Sequence, residues 1–135
     1  DIPKNSFVMA YSIRFEKAVI KKLANEFPIY SDHLMSIHDN FVDLHTPFDK
    51  KDFLTYEMKG KSGLKTILPI LVPEMGKAYY ELDMINDGGD AMSIYQELSK
   101  ATDLEMISRY KSALIEYCKL DTLAMVKILE KLRQI

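Results

Sequence analysis

Tyr117 and Asp121 are four residues apart in a C-terminal stretch with helical periodicity. This spacing places two side chains on the same face of an α-helix. Ala124, Met125 and Ile128 follow on that face, which we therefore predict to point toward the core. A carboxylate among apolar side chains is costly unless a partner compensates its charge, and a metal ion is one such partner. Asp121 is therefore a candidate metal ligand, with Tyr117 as its nearest titratable neighbour.

A simpler interpretation of Asp121 remains open at this point. Aspartate is a preferred N-cap residue, so Asp121 could cap a new helix that begins at Thr122. Tyr117 would then be a core residue of the preceding helix. The spacing alone favours this interpretation over a metal site.

Glu16 is the second candidate acid. It follows a short apolar segment, residues 7–11, which we predict to be a buried strand. It lies in the first turn of a helix that Ser12 is predicted to cap. Active-site residues are often built at such junctions. The alternative is that Glu16 is an ordinary first-turn acid, which the helix dipole favours.

Length and composition are typical of one globular domain, and we predict a single domain over residues 1–135. Hydrophobic residues make up 47% and charged residues 28%, which excludes a low-complexity chain. The net charge of −2 predicts no general attraction to nucleic acid or membranes, so any such binding must be local. No apolar run is long enough to span a membrane, and the single cysteine, Cys118, predicts a cytoplasmic protein.

The hydrophobic periodicity predicts a mostly α-helical chain with about five to seven helices. The first helix is expected to run to about residue 27 and to bury one stripe of side chains: Phe15, Val19, Leu23 and Phe27. Further helices are predicted over residues 31–40, 64–72 and 90–100, and from residue 102 or 103 to the C-terminus. Asp90 is the expected cap of the helix over residues 90–100, and a kink is expected near Leu120 in the last helix.

Residues 7–11 form the one strand that the pattern predicts, and a single strand cannot form a sheet. We therefore expect its partner strands to lie in a preceding part of a longer protein or in a second copy of the chain. A turn-like lead-in, residues 1–5, runs at once into this apolar segment, which also suggests a domain cut from a longer protein. An exposed strand edge would allow two copies to pair as a homodimer.

A basic segment surrounds Gly60 and Gly63. Its five lysines are Lys50, Lys51, Lys59, Lys61 and Lys65. The simpler interpretation is a solvated surface loop. The functional interpretation is contact with a nucleic-acid backbone through Lys59, Lys61 and Lys65, which would be independent of sequence and sensitive to salt.

Glu16 and the Tyr117–Asp121 pair together resemble motifs of the DEDD superfamily of 3′–5′ exonucleases, which has a ribonuclease-H-like α/β fold. The run Tyr-Ser-Ile-Arg-Phe-Glu, which ends at Glu16, resembles the second motif of that superfamily. The run Tyr-Cys-Lys-Leu-Asp, from Tyr117 to Asp121, resembles the third motif of its tyrosine subclass.

The resemblance is closer to an uncharacterised bacterial branch of that superfamily, known only as a domain of unknown function. Members carry an Asp-Leu dipeptide, matched here by Asp43 and Leu44, and a stretch that residues 60–69 resemble loosely. Their closing segment, Tyr-Cys-x-x-Asp-Thr-x-Ala-Met, is matched from Tyr117 to Met125. The resemblance spans residues 7–132.

This resemblance implies a hydrolase that removes nucleotides from single-stranded DNA or RNA ends with two Mg²⁺ or Mn²⁺ ions. Asp121 and Glu16 would be metal ligands, and Tyr117 would position the attacking water. The first motif of the superfamily, Asp-x-Glu, should precede residue 7, where the chain has none. We therefore expect the C-terminal part of an exonuclease-like domain, inactive by itself. The alternative is a non-catalytic module of the same fold that binds nucleic acid or protein.

Overall fold

The protein is mostly helical and contains one small sheet. The computed structural model describes residues 2–135. The chain forms two compact units: the first ends at Leu64, and the second is Lys65–Ile135. A mostly helical chain was predicted and is confirmed. The ribonuclease-H-like parent fold and the single domain over residues 1–135 stay predictions.

The first unit is built on two short parallel strands. Strand β1 (Val8–Ala10) pairs with strand β2 (Phe41–Asp43), and Ala10 is aligned with Asp43. Parallel strands need a crossover connection, because a tight turn can join only antiparallel neighbours. Helices α1 (Arg14–Glu26) and α2 (Ser31–Asp39) form this crossover and pack against each other. The carboxyl ends of both strands therefore lie at the same edge of the sheet.

Strand β2 corrects the prediction that the one strand lacks a partner in this chain. Phe41, Val42 and Asp43 are too few to show an alternating pattern, and their pairing with β1 is visible only in the fold. The expectation that β1 needs a partner from outside the chain was therefore wrong for one of its two edges. Pairing between two copies stays a prediction.

Helix α1 buries a different face from the one predicted. Its inner stripe includes Ala24, which is 3% exposed, and the half-buried Glu16 and Ile20. The stripe that begins at Phe15 and the stripe that begins at Glu16 lie side by side on this helix and have the same i, i+4 spacing. Hydropathy alone favours burial of the Phe15 stripe, because its residues are larger and more apolar. Three of the four residues predicted to be buried are instead exposed: Phe15 at 69%, Val19 at 39% and Phe27 at 50%.

The remainder of the first unit is a short helix, α3 (Thr46–Asp49), followed by a 3₁₀ turn at Tyr56–Met58. Phe48 of the helix and Met58 of the turn are each 2% exposed, so each segment packs into the core through one side chain. The rings of Phe48 and Phe53 meet edge to face at 5.6 Å, a favourable geometry for aromatic pairs.

The second unit contains helices α4 (Leu64–Leu71), α5 (Gly88–Lys100) and α6 (Leu104–Leu132), of which α4 begins one residue before the unit. All three were predicted close to these bounds. Helix α6 was expected to begin at residue 102 or 103, and Asp103 is its N-cap. Asp87, rather than Asp90, caps α5 by accepting hydrogen bonds from the amides of residues 89 and 90. The helix therefore begins two residues earlier than predicted.

Helix α6 has 29 residues and continues without interruption through Leu120. The kink expected near Leu120 stays a prediction. The inner face of α6 includes Ala124 and Ile128, both fully buried as predicted. They lie in a core that also contains Ile67, Leu68, Val72 and Ile85, each 0% exposed. No helix in the described part of the chain is long and apolar enough to cross a membrane.

Candidate functional site

Asp121 lies in the middle of helix α6, on the same face as Tyr117. The interpretation of Asp121 as the cap of a new helix was therefore wrong. Its carboxylate instead accepts a hydrogen bond from the hydroxyl of Tyr79, with 2.5 Å between Tyr79 Oη and Asp121 Oδ1. A short bond from a hydroxyl to an ionised carboxylate is among the stronger hydrogen bonds in proteins. The acid that lacked a partner in the sequence thus has one in the fold.

Tyr79 belongs to the 3₁₀ turn Ala78–Glu81 and is 6% exposed. Its ring lies 6.2 Å from that of Tyr117 at an angle of 59°. The ammonium group of Lys65 lies 5.0 Å from the centre of the Tyr79 ring, within the range of a cation–π contact. Tyr79, Tyr117 and Asp121, with Lys65, are called the tyrosine–aspartate cluster below.

Both tyrosine hydroxyls in this cluster resist ionisation. Burial raises the pKa of Tyr79 far above its usual value, and the hydrogen bond to Asp121 raises it further. Burial also raises the pKa of Tyr117, followed by the negative charge of Asp121. At neutral pH both hydroxyls are therefore protonated, and each can donate a hydrogen bond.

We expect the stability of the second unit to fall as the pH rises above about 10, the ordinary pKa of tyrosine. The folded protein holds protons on Tyr79 and Tyr117 that the unfolded chain releases there, so ionisation favours unfolding. The Tyr79→Phe variant should lose less of its stability above that pH than the parent protein. Urea unfolding at a series of alkaline pH values measures this. Tyr80→Phe, which removes an exposed neighbour, is the matched control; equal losses in all three proteins would contradict the prediction.

Glu16 lies in the first turn of α1 on its half-buried stripe. Its Oε2 atom is shielded from solvent and has no hydrogen-bond partner among the described residues. Buried carboxylate oxygens are nearly always paired with a donor or a cation, because removal from water is otherwise costly. This oxygen therefore distinguishes Glu16 from an ordinary first-turn acid.

Asp43 organises the edge of the sheet next to this helix. Its carboxylate accepts hydrogen bonds from the amides of Ser12 at 2.8 Å, Ile13 at 3.3 Å and His45 at 3.0 Å. Ser12 was predicted to cap α1, but it has φ = 65° and its side chain caps nothing. Asp43, from the neighbouring strand, binds these amides instead. The strained backbone of Ser12 is thus held by a side chain distant in sequence.

Tyr11, His45 and Ser62 connect the same edge to the basic segment. The Tyr11 hydroxyl donates a hydrogen bond to the Ser62 carbonyl, and His45 Nε2 lies 2.8 Å from Ser62 Oγ. The rings of Tyr11 and His45 are 5.0 Å apart. Burial, and then the charge of Asp43, raises the pKa of Tyr11, which keeps its hydroxyl a donor. No carboxylate orients His45 Nδ1 in residues 2–135, so the contact lacks the third member of a catalytic triad.

The three lysines predicted to bind nucleic acid belong to both units. Lys59 and Lys61 belong to the first unit, whereas Lys65 belongs to the second and is in contact with Tyr79. None of the three forms an ion pair within the described residues. The charge of Lys65 nevertheless acts on Asp87, which lines the same concavity.

The predicted metal ligands are likewise divided, with Glu16 in the first unit and Asp121 in the second. Nowhere in residues 2–135 do three or more His, Cys, Asp or Glu side chains come close enough to hold a metal ion. Glu16 Oε2 has no hydrogen-bond donor within residues 2–135 and is therefore able to bind a cation. Asp121, in contrast, already accepts one hydrogen bond. Tyr79 was not predicted as a site residue. Its hydrogen bond to Asp121 joins residues 42 positions apart, and such a contact leaves no periodic pattern in the sequence.

Residues 1–63 match a family model described as a domain of unknown function (DUF2779). The matched range contains Glu16, Asp43 and Tyr11, and it ends next to the boundary of the first unit. The predicted resemblance to a domain of unknown function is thus confirmed for this part of the chain. The Tyr117–Asp121 pair lies outside it. No curated protein and no solved structure matches the chain.

Proposed function

We propose that this chain belongs to a metal-dependent 3′–5′ exonuclease that acts on the ends of single-stranded DNA or RNA. In this proposal Glu16 and Asp121 are ligands of Mg²⁺ or Mn²⁺, and Tyr117 orients water. The observation that carries it is the buried oxygen of Glu16, for which residues 2–135 supply no hydrogen-bond donor. Such an oxygen favours a cation as its partner, and hard divalent ions prefer carboxylate oxygens.

The surroundings of Asp121 support its role as a fixed carboxylate. The Tyr79 hydroxyl holds Oδ1 at 2.5 Å, which orients the carboxylate without neutralising it. The Tyr117 hydroxyl is on the same helix face and stays protonated, because burial and the charge of Asp121 raise its pKa. It can therefore donate a hydrogen bond to a water molecule. When bound, divalent ions of this kind stabilise the negative charge on the reacting phosphate.

A cleavage assay with the full-length natural protein tests this proposal. Single-stranded oligonucleotides labelled at the 5′ end should shorten stepwise from the 3′ end when Mg²⁺ or Mn²⁺ is present. Chelation of the metal should stop the reaction, because the carboxylates cannot neutralise a phosphate by themselves. Unchanged cleavage in the presence of a chelator, or cuts at internal positions only, would contradict an exonuclease of this type.

A non-catalytic module that binds nucleic acid is the second candidate. The hydrogen bond from Tyr79 favours it, because Asp121 then has a partner without any metal ion. The two candidates differ in one outcome of the assay above. A module should bind the oligonucleotide with or without Mg²⁺ and leave its length unchanged.

A further inference from the structure

The basic segment of the first unit forms an open concavity of about 540 Å³. Its lining consists of Lys51, Leu54, Thr55, Tyr56, Lys59 and Gly60. We call this concavity the Tyr56 site. The two lysines are the only charged residues in its lining. The site therefore combines an apolar and aromatic surface with positive charge.

Tyr56 presents its ring to solvent. It is 89% exposed, and the adjacent Leu54 is 58% exposed. Tyr56 begins the 3₁₀ turn that Met58 anchors, and Met58 is only 2% exposed. The turn is therefore fixed at one side chain while the neighbouring aromatic ring is left without a packing partner. An exposed aromatic ring on a fixed turn provides a surface for stacking.

Lys51 and Lys59 occupy unusual backbone positions at this site. Their φ angles are 63° and 48°, in the left-handed region that residues other than glycine rarely adopt. Neither lysine forms an ion pair within residues 2–135. The acids nearest to them in sequence are Asp52, next to Lys51, and Glu57, two residues before Lys59, and both acids are exposed. Neither acid forms an ion pair with these lysines within residues 2–135, so both ammonium groups can still contact phosphates.

We infer that the Tyr56 site binds single-stranded nucleic acid, with a base stacked on Tyr56 and phosphates contacted by Lys51 and Lys59. Aromatic platforms flanked by cations are the usual means of binding single strands without sequence preference. Gly60 has no atom within 4 Å of the position of a Cβ, so a ligand backbone can approach closely there. The inference deepens the proposed function and rests on it, since it names the residues that hold the substrate strand.

The chain contains no tryptophan, which allows a direct test of stacking. In the Tyr56→Trp variant, the single indole should be quenched when oligo-dT or oligo-U is added in the presence of a chelator. The quenching should saturate and weaken as salt is raised, because phosphate contacts release counterions. Tyr30→Trp, at a 61% exposed tyrosine of the same unit, is the matched control and should show no quenching.

Affinity measurements by fluorescence anisotropy complete the test. Tyr56→Ala should weaken binding of the tighter of the two oligonucleotides by about 10-fold or more. Lys51→Gln and Lys59→Gln should each reduce the slope of log affinity against log salt by about 1. Because Tyr56 is exposed, circular dichroism should show an unchanged fold in Tyr56→Ala.

Three outcomes separate this inference from the proposed function. Equal affinity of Tyr56→Ala and the parent chain, or no quenching of Tyr56→Trp, would overturn the inference. If metal-dependent cleavage by the full-length protein persists in that case, the proposed exonuclease stands without the Tyr56 site. If stacking is observed but no oligonucleotide is cleaved with Mg²⁺ or Mn²⁺, the inference holds and the exonuclease is excluded.

Discussion

Asp121→Asn in the full-length natural protein should lower metal-dependent exonuclease activity by about 100-fold or more. Asparagine keeps the shape of the side chain, and its carbonyl oxygen can still accept the hydrogen bond from Tyr79. The substitution removes only the negative charge that would bind a divalent ion. The initial rate of 3′-end shortening on a single-stranded oligonucleotide at saturating Mg²⁺ measures the effect.

Glu116→Gln is the matched control for Asp121→Asn. Glu116 lies on the exposed side of the same helix, and its one ion-pair partner within residues 2–135 is Lys119. An exposed ion pair of this kind contributes little to stability, so the control should retain the activity of the parent protein. A loss of less than about 3-fold in Asp121→Asn, with an intact fold, would remove Asp121 from the mechanism.

Asp43→Ala should destabilise the first unit by about 2–4 kcal/mol, because three amides lose a charged acceptor. These amides belong to Ser12, Ile13 and His45, which connect the ends of both strands to the helices that follow. Ser12 also needs this support for its positive φ angle. Hydrogen exchange of the three amides and urea unfolding of the chain measure the loss. The three amides should exchange faster in the variant.

Asp52→Ala is the control for Asp43→Ala, because Asp52 is exposed and lies outside the sheet. Its removal should change the free energy of unfolding by less than about 0.5 kcal/mol. The loss of stability in Asp43→Asn should lie between those of Asp43→Ala and Asp52→Ala, because the asparagine oxygen still accepts a hydrogen bond but carries no charge. Unfolding of Asp43→Ala at the same urea concentration as the parent chain would show that these hydrogen bonds are dispensable.

The helices of this protein could be predicted because their signals are local. The bounds of α4 follow from a short apolar run, and the start of α6 follows from Asp103 as its cap. The buried face of α6 was also predictable, since Ala124 and Ile128 repeat at the helical period. Where two stripes compete, as on α1, periodicity could not decide. Burial there follows small Ala24 rather than the larger Phe15.

The contacts that organise both units are long-range, and no local pattern contains them. Asp43 contacts Ser12 across 31 residues, and Tyr79 contacts Asp121 across 42. Strand β2 is three residues long and is recognised only by its pairing with β1. Asp121 could be selected from the sequence as an acid on a predicted inner face, and Glu16 as an acid at a strand-to-helix junction. The sequence could not show that Tyr79 donates a hydrogen bond to Asp121. It also could not show that the Glu16 oxygen has no donor within residues 2–135.

The buried oxygen of Glu16 is proposed to be a metal ligand, and Mn²⁺ binding to the protein measures this property without a substrate. Electron paramagnetic resonance of the full-length natural protein, titrated with Mn²⁺, gives the affinity without any need for turnover. Glu16→Gln should weaken binding by about 10-fold or more, because a neutral amide replaces a charged ligand. Glu26→Gln, an exposed acid of the same helix, should bind Mn²⁺ as the parent protein does. Equal Mn²⁺ affinity of Glu16→Gln and the parent protein would show that Glu16 is not a metal ligand.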